Sequence, residues 1–256
     1  MKRDDDLRVR PGRTRTTRRQ RSKPFIAQAL AAAERAGGMR RRSSSSPASG
    51  AFGRGRAASL VAMRGMTGRS RSAVIKARVV RHGMKRAPLA AHLTYLRRDG
   101  VTKDGEPARM FGAESDDVDH NAFAERCGDD RHHFRFIVAP EDATELSDIK
   151  AFTRDLMTDA ERDLGTRIDW VAVDHWNTEH PHIHVIVRGR TEDGKDLVIS
   201  RDYIREGMRA RAQQLLTLEL GPRSDHEIHH SLEEQAGAER WTRLDRSLAR
   251  NAAAHG

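Results

Sequence analysis

The chain has 256 residues, enough for one domain of moderate size with tails, and carries 47 Lys+Arg against 37 Asp+Glu, a net charge of +10. Residues 1–72 hold 19 basic and 4 acidic residues, a net of +15, whereas residues 73–256 hold 28 and 33, a net of −5, so the basicity belongs to an N-terminal arm. The single cysteine, Cys127, excludes an internal disulfide and fits a reducing compartment, and the longest apolar stretch, near Ile26 to Ala33, is too short to span a bilayer. The arginine-rich start lacks the apolar core of a secretory signal, so a soluble, cytoplasmic protein with no membrane insertion is expected.

Residues 1–72 read as a largely disordered basic arm. Arg18-Arg19, Arg40-Arg41-Arg42, the serines 43–46 and several glycines bury too little apolar surface to offset the entropy of ordering. A short helix over 24–35 is the one local element expected there. The arm reads either as a solvated tail or as a contact to DNA phosphates. Residues 73–250 form the expected domain, and 251–256 a tail.

Alternation predicts a strand over 74–80, and Pro88 and Gly100 bracket a helix whose apolar stripe is Leu89, Leu93 and Leu96. Residues 99–130 read as a polar loop with a short helix near 122–126. A strand follows over 133–138. A long helix then ends near Leu164-Gly165, with Ile149, Phe152, Leu156 and Ala160 inward. Residues 167–174 and 182–188 read as a hairpin, 197–200 as a short strand, and 201–220 as a second long helix stopped by Gly221-Pro222. The remainder, to about residue 250, reads as helical and charged. This order implies an α+β fold: an antiparallel β-sheet flanked by α-helices, packed on one face so that the other stays free for a site.

The chemistry concentrates in His175-Trp-Asn-Thr-Glu-His-Pro-His182-Ile-His184. Side chains alternate along a strand, so His182 and His184 share a face, and a tight hairpin returns His175 to the same spot. Three converging imidazoles suit a divalent metal with coordination positions to spare. His180 directly precedes Pro181 and is left out. Asp174 and Glu179 are candidate acceptors for the ring N–H groups, or simply turn residues. The chain has two tyrosines. Tyr95 lies on a helix with His92 and Arg98 on its own side, and Arg97 and Arg98 are candidate phosphate contacts; a phenol there is a nucleophile or an interface residue. Tyr203 is the second candidate nucleophile. Arg201, Arg205 and Arg209 recur every four residues and are candidate DNA contacts or a solvated helix face. Trp170 and Trp241 read as packing residues.

Tyr95 within Leu-Thr-Tyr-Leu-Arg-Arg-Asp-Gly, followed by His175 and Pro-His182-Ile-His184, resembles the P-type (VirD/TraI-like) conjugative relaxases and mobilisation nucleases of the HUH endonuclease superfamily. Phe134-Arg-Phe-Ile-Val-Ala-Pro-Glu-Asp142 is similar to that family's middle motif, which often has serine where Ala139 stands. The segment from Ser200-Arg-Asp-Tyr-Ile-Arg205 to Leu220-Gly-Pro-Arg223 is similar as well. The resemblance implies a relaxase-like sandwich whose Tyr95 attacks a phosphodiester in single-stranded DNA at a plasmid or integrative-element origin of transfer. The product is a 5′-phosphotyrosine and a free 3′ hydroxyl, with later strand transfer and rejoining in conjugation. His175, His182 and His184 would hold Mg²⁺ or Mn²⁺. Accessory relaxosome proteins and a coupling protein are the implied partners. Two other readings of the same residues are a hydrolase whose metal activates water and a non-catalytic DNA-binding mobilisation protein.

Overall fold

The computed structural model describes residues 53–83 and 89–238, together with 242, 244, 245, 248 and 249. The arm through residue 52, with its expected helix over 24–35, lies outside the described residues, as do Trp241 and the tail 251–256. In chain order the elements are α1 (Arg56–Arg64), β1 (Ala73–Arg81), α2 (Leu89–Asp99), α3 (His120–Arg126), β2 (His132–Pro140), α4 (Ile149–Leu164), β3 (Ile168–His175), β4 (His182–Thr191), α5 (Met208–Leu220) and α6 (Asp225–Gly237). All four strands pair antiparallel in the order β1-β2-β4-β3, which is the expected α+β class.

Alternation divides the sheet into two faces. Phe134, Phe136 and Val138 of β2, Trp170 and Ala172 of β3, and Ile183, Val185 and Val187 of β4 form the first face. It packs against Phe152, Leu156 and Met157 of α4 and Met208, Ala212 and Leu216 of α5. Asp148 caps α4 by accepting from the amides of Lys150 (2.8 Å) and Ala151 (3.1 Å), and Gly165 ends it at φ 65°.

The second face departs from the one-sided arrangement expected. Leu93 and Leu96 of α2 and Phe123 of α3 cover Val171, Val173 and Ile186, making a second, smaller core. The cause is in β3, whose Val171 and Val173 are apolar on the side left for solvent and require a roof. Only the β3–β4 half is roofed in this way. Over β1 and β2 the same face presents exposed Val74, Lys76 and Arg78.

Two further expectations need correction. Residues 56–64, assigned to the disordered arm by composition, form α1, whose Ser59 and Ala62 are buried. Its neighbours supply the apolar surface: Tyr203 packs beside Gly55, and Gln214 donates to the Ala62 carbonyl (2.8 Å). The stretch 197–200 makes only an isolated bridge, Arg54 to Ile199, and no strand. The helix expected over 201–220 is present and carries a π-helical turn, Tyr203–Gly207, just before α5. The loop over 99–130 is also less polar in place than in composition, since Ala108, Met110 and Phe111 are buried and Phe111 exchanges backbone hydrogen bonds with Ala172 along the outer edge of β3.

Strand β4 passes so near β2 that a Cβ on Gly189 would stand 1.8 Å from the His132 carbonyl oxygen. Backbone cannot yield there as a side-chain tip can. Gly189→Ala should therefore lower unfolding stability by about 1–3 kcal/mol or more in urea titrations, with the chain separating from His132 at the end of the β2–β4 ladder. A midpoint unchanged from wild type would contradict this packing.

Candidate active site and metal centre

The β3–β4 hairpin builds the centre. His175 is paired directly with His182, and His184 stands opposite Val173, so all three rings project from the second face. One ligating nitrogen from each lies within 4.8 Å of the others. The ring centroids are 4.7–5.4 Å apart, and Nε2 of His182 is 3.2 Å from Nε2 of His184.

Backbone carbonyls set the ring protons. His175 donates from Nε2 to the Leu96 carbonyl of α2 (3.1 Å), which leaves Nδ1 with its lone pair. His182 donates from Nδ1 to the His180 carbonyl (2.9 Å), which leaves Nε2 available. The acceptors expected from sequence, Asp174 and Glu179, do not have this role. Asp174 Oδ2 accepts from the Trp176 indole (3.0 Å) while its Oδ1 is buried without a hydrogen bond, and Glu179 is exposed in the hairpin turn. Asp174 alternates to the first face, away from the rings, and the acceptors come instead from the main chain of α2 and of the hairpin turn.

Burial, with His175 and His182 alongside, pushes His184 down to about 3, and burial likewise lowers His175. Both shifts favour neutral rings at His175 and His184, the state in which imidazole ligates metal. Three nitrogen donors suit Mn²⁺ better than Mg²⁺, which prefers oxygen. The donor set therefore fits a divalent ion whose remaining positions are filled by oxygens of substrate and water.

Helix α2 brings the phenol. It ends at Gly100, where a Cβ would meet Val173 at 2.8 Å and Ala108 at 3.0 Å, so the close approach of the helix end to the sheet requires glycine. Leu93 and Leu96 are buried against the sheet, and Tyr95, between them, faces outward at 53% exposure. Tyr95 lines a recess of about 570 Å³ together with Arg98, Asp99, Asn177, His175 and His182. The neighbouring Asp99 carboxylate raises the pKa of its hydroxyl, and the Arg98 guanidinium lies 5.5 Å from its ring centroid. Asp99 was not singled out in the sequence; its place one helical turn after Tyr95 was the available signal.

The other candidates lie elsewhere. Tyr203 is buried among first-face core residues, donates to Asp163 (3.1 Å), and has its pKa driven up mainly by burial. It does not share the recess. Arg201, Arg205 and Arg209 border α5, which packs on the opposite sheet face, and Arg209 pairs with Glu206. The π-helical turn also breaks the spacing of four that had aligned them. Arg97 is exposed on α2, whereas Trp170 is core.

Two buried imidazoles make stability pH-dependent. His184 and His133 are both held down to about 3, the latter by burial and then Arg135. Unfolded histidine titrates near 6.5, so between about 3 and 6.5 the unfolded chain binds more protons. The stability is whole above pH 6.5 and is lost progressively as the pH falls. Calorimetry of the metal-free protein from pH 7 to 4 should show a falling midpoint, with a shallower fall in His184→Asn. Equal slopes in the two proteins would count against a neutral, buried His184.

Residues 110–217 match the family model described as relaxase, MobA/VirD2-like, nuclease domain. The matched segment contains all three histidines, and Tyr95 lies just upstream of it. No curated protein matches the chain. The matched segment, with the antiparallel sheet it helps to form and the three histidines it contains, is thus similar to the nuclease domain of MobA/VirD2-like relaxases.

Proposed function

We propose that this protein is a relaxase that cuts one strand of DNA at an origin of transfer by attack of Tyr95, keeps the 5′ end as a phosphotyrosine, and later rejoins or transfers it. The observation that carries this reading is the recess shared by the Tyr95 phenol with His175 and His182. A divalent ion on the three imidazoles would supply positive charge where the scissile phosphate becomes more negative.

The remaining chemistry belongs to the chain's own groups. Tyr95 Oη forms the new bond to phosphorus, the bond from phosphorus to the 3′ oxygen breaks, and that oxygen leaves as a hydroxyl after taking a proton. The carboxylate nearest in chemistry to the phenolic proton is Asp99, to which Arg98 donates from Nε at 3.3 Å. Asp99 is itself held below the usual carboxylate range, mainly by the Tyr95 hydroxyl, and so is a weak base. Cationic help at the phenol is therefore required, and Arg98 stands against the ring to give it. Arg98, with Arg97 on the same helix, also suits phosphate oxygens. Because the tyrosyl ester conserves the energy of the cleaved bond, attack by a 3′ hydroxyl restores the strand without ATP. Accessory relaxosome proteins and a coupling protein would deliver the single strand to this recess.

The test is incubation of the full chain with single-stranded origin oligonucleotides and Mn²⁺, followed by denaturing electrophoresis. A covalent protein–DNA band is expected, absent in Tyr95→Phe. His182→Ala and His184→Ala should lower cleavage by about 10²-fold or more while much of the DNA binding persists. Free 5′-phosphate product that survives Tyr95→Phe would replace this scheme with hydrolysis by water, and retardation without cleavage would make the chain a binding protein.

A further inference from the structure

Strand register lays the second face out in rows. His184 stands opposite Val173 of β3 on one side and Ile137 of β2 on the other, and Ile137 stands opposite Lys76 of β1. One step along the strands, Ile186 is opposite Arg135, and Arg135 is opposite Arg78. The row that begins at the metal-ligating candidate His184 thus ends on a lysine, and the next ends on two arginines. Lys76 and Arg78 are exposed, and Arg135 is half-buried.

This strip costs the fold something. Like charges directly opposite one another on neighbouring strands repel. Arg78 and Arg135 are such a pair, and no strand residue in either row is acidic. Among the described residues no carboxylate pairs with Lys76 or Arg78. Charges on an edge strand discourage unwanted strand pairing, and β1 is an edge strand. That explanation does not reach Arg135, which sits on an interior strand. Arg135 is also held deliberately: its Nε donates to His133 Nε2 (3.0 Å), and His133, thereby fixed with its proton on Nδ1, donates to His82 Nε2 (2.6 Å). His133 is buried at 2% exposure, where an imidazole is expensive unless it does something.

We propose that Lys76, Arg78 and Arg135 form a phosphate track on the open half of the sheet, seating single-stranded DNA on the side of the histidines opposite the Tyr95 recess. The inference rests on the nicking reading for its choice of ligand. Among the described residues helix α2 roofs β3 and β4 and leaves the Lys76 and Arg78 rows of β1 exposed, a shelf two strands wide, about 10 Å, suited to one sugar-phosphate backbone. Rows two residues apart lie about 7 Å from each other, a separation an extended single strand can match with successive phosphates. Exposed Val74 and half-buried Ile137 on the same face give sugars and bases an apolar surface between the cations.

The experiment measures anisotropy of a labelled 25-nucleotide oligo(dT) with the full chain at several NaCl concentrations, beside a duplex of equal length. Lys76→Gln/Arg78→Gln and Arg135→Gln keep much of the aliphatic stems. Each variant should bind oligo(dT) on the order of tenfold more weakly at 0.1 M NaCl, and the double variant should lose about 1.4 from the log–log salt slope, 0.7 for each lost contact. Mn²⁺ binding, followed by paramagnetic resonance, should remain as in wild type and shows that the sheet is intact. Unchanged affinity and slope for oligo(dT), or a loss confined to duplex, overturns the track. The Tyr95 adduct is scored separately. An adduct with unaltered strip variants sinks only the track, and strip-dependent oligo(dT) binding with no adduct sinks only the nicking scheme.

Discussion

The pairing of His175 with His182 across the β3–β4 hairpin is the constraint on which the site depends. Side chains have a period of two along a strand, so a slip of one residue would send the rings of one strand to the apolar face and bury them against α4. The register is enforced from the other side of the sheet, where Ile183, Val185 and Val187 are all essentially inaccessible to solvent. The core thus specifies the centre: the same alternation that buries the aliphatic residues delivers the imidazoles to the opposite face. It also favours the neutral form of His175 and His184, because a platform packed below and partly roofed above disfavours an imidazolium.

Much of this was legible in the sequence. The strands and the long α4 helix are strongly periodic, and the hairpin with its histidines follows from alternation alone. Tyr95 was legible as an exposed position beside a leucine stripe. What escaped were features that local pattern does not encode. The roof over Val171 and Val173 depends on a loop, 99–130, whose polar composition hides Ala108 and Met110. Helix α1 has too little apolar surface to be recognised by itself, and it forms because Tyr203 and Gln214 lie ready to receive it. The arginines at 201, 205 and 209 lie away from the recess, and sequence could not say so. Spacing tells which residues share a helix face but not which sheet face the helix packs on.

The two sides of the sheet also divide labour. The first face carries most of the apolar core, including α4 and α5, and accounts for most of the stabilising burial. The second face carries features that do not favour folding: buried imidazoles, and facing cations on β1 and β2. Such costs are tolerable because they fall on a platform already fixed from behind.

The bond from His175 to the Leu96 carbonyl ties the phenol-bearing helix to the ring that would ligate metal. His182 takes its tautomer from its own turn, but His175 takes it from α2, one residue beyond Tyr95. If that helix lifts, Tyr95 leaves the recess and His175 loses the acceptor that keeps its Nδ1 lone pair free. Phenol and imidazole are thus mechanically geared together, so that loosening one helix disassembles both halves of the recess at once.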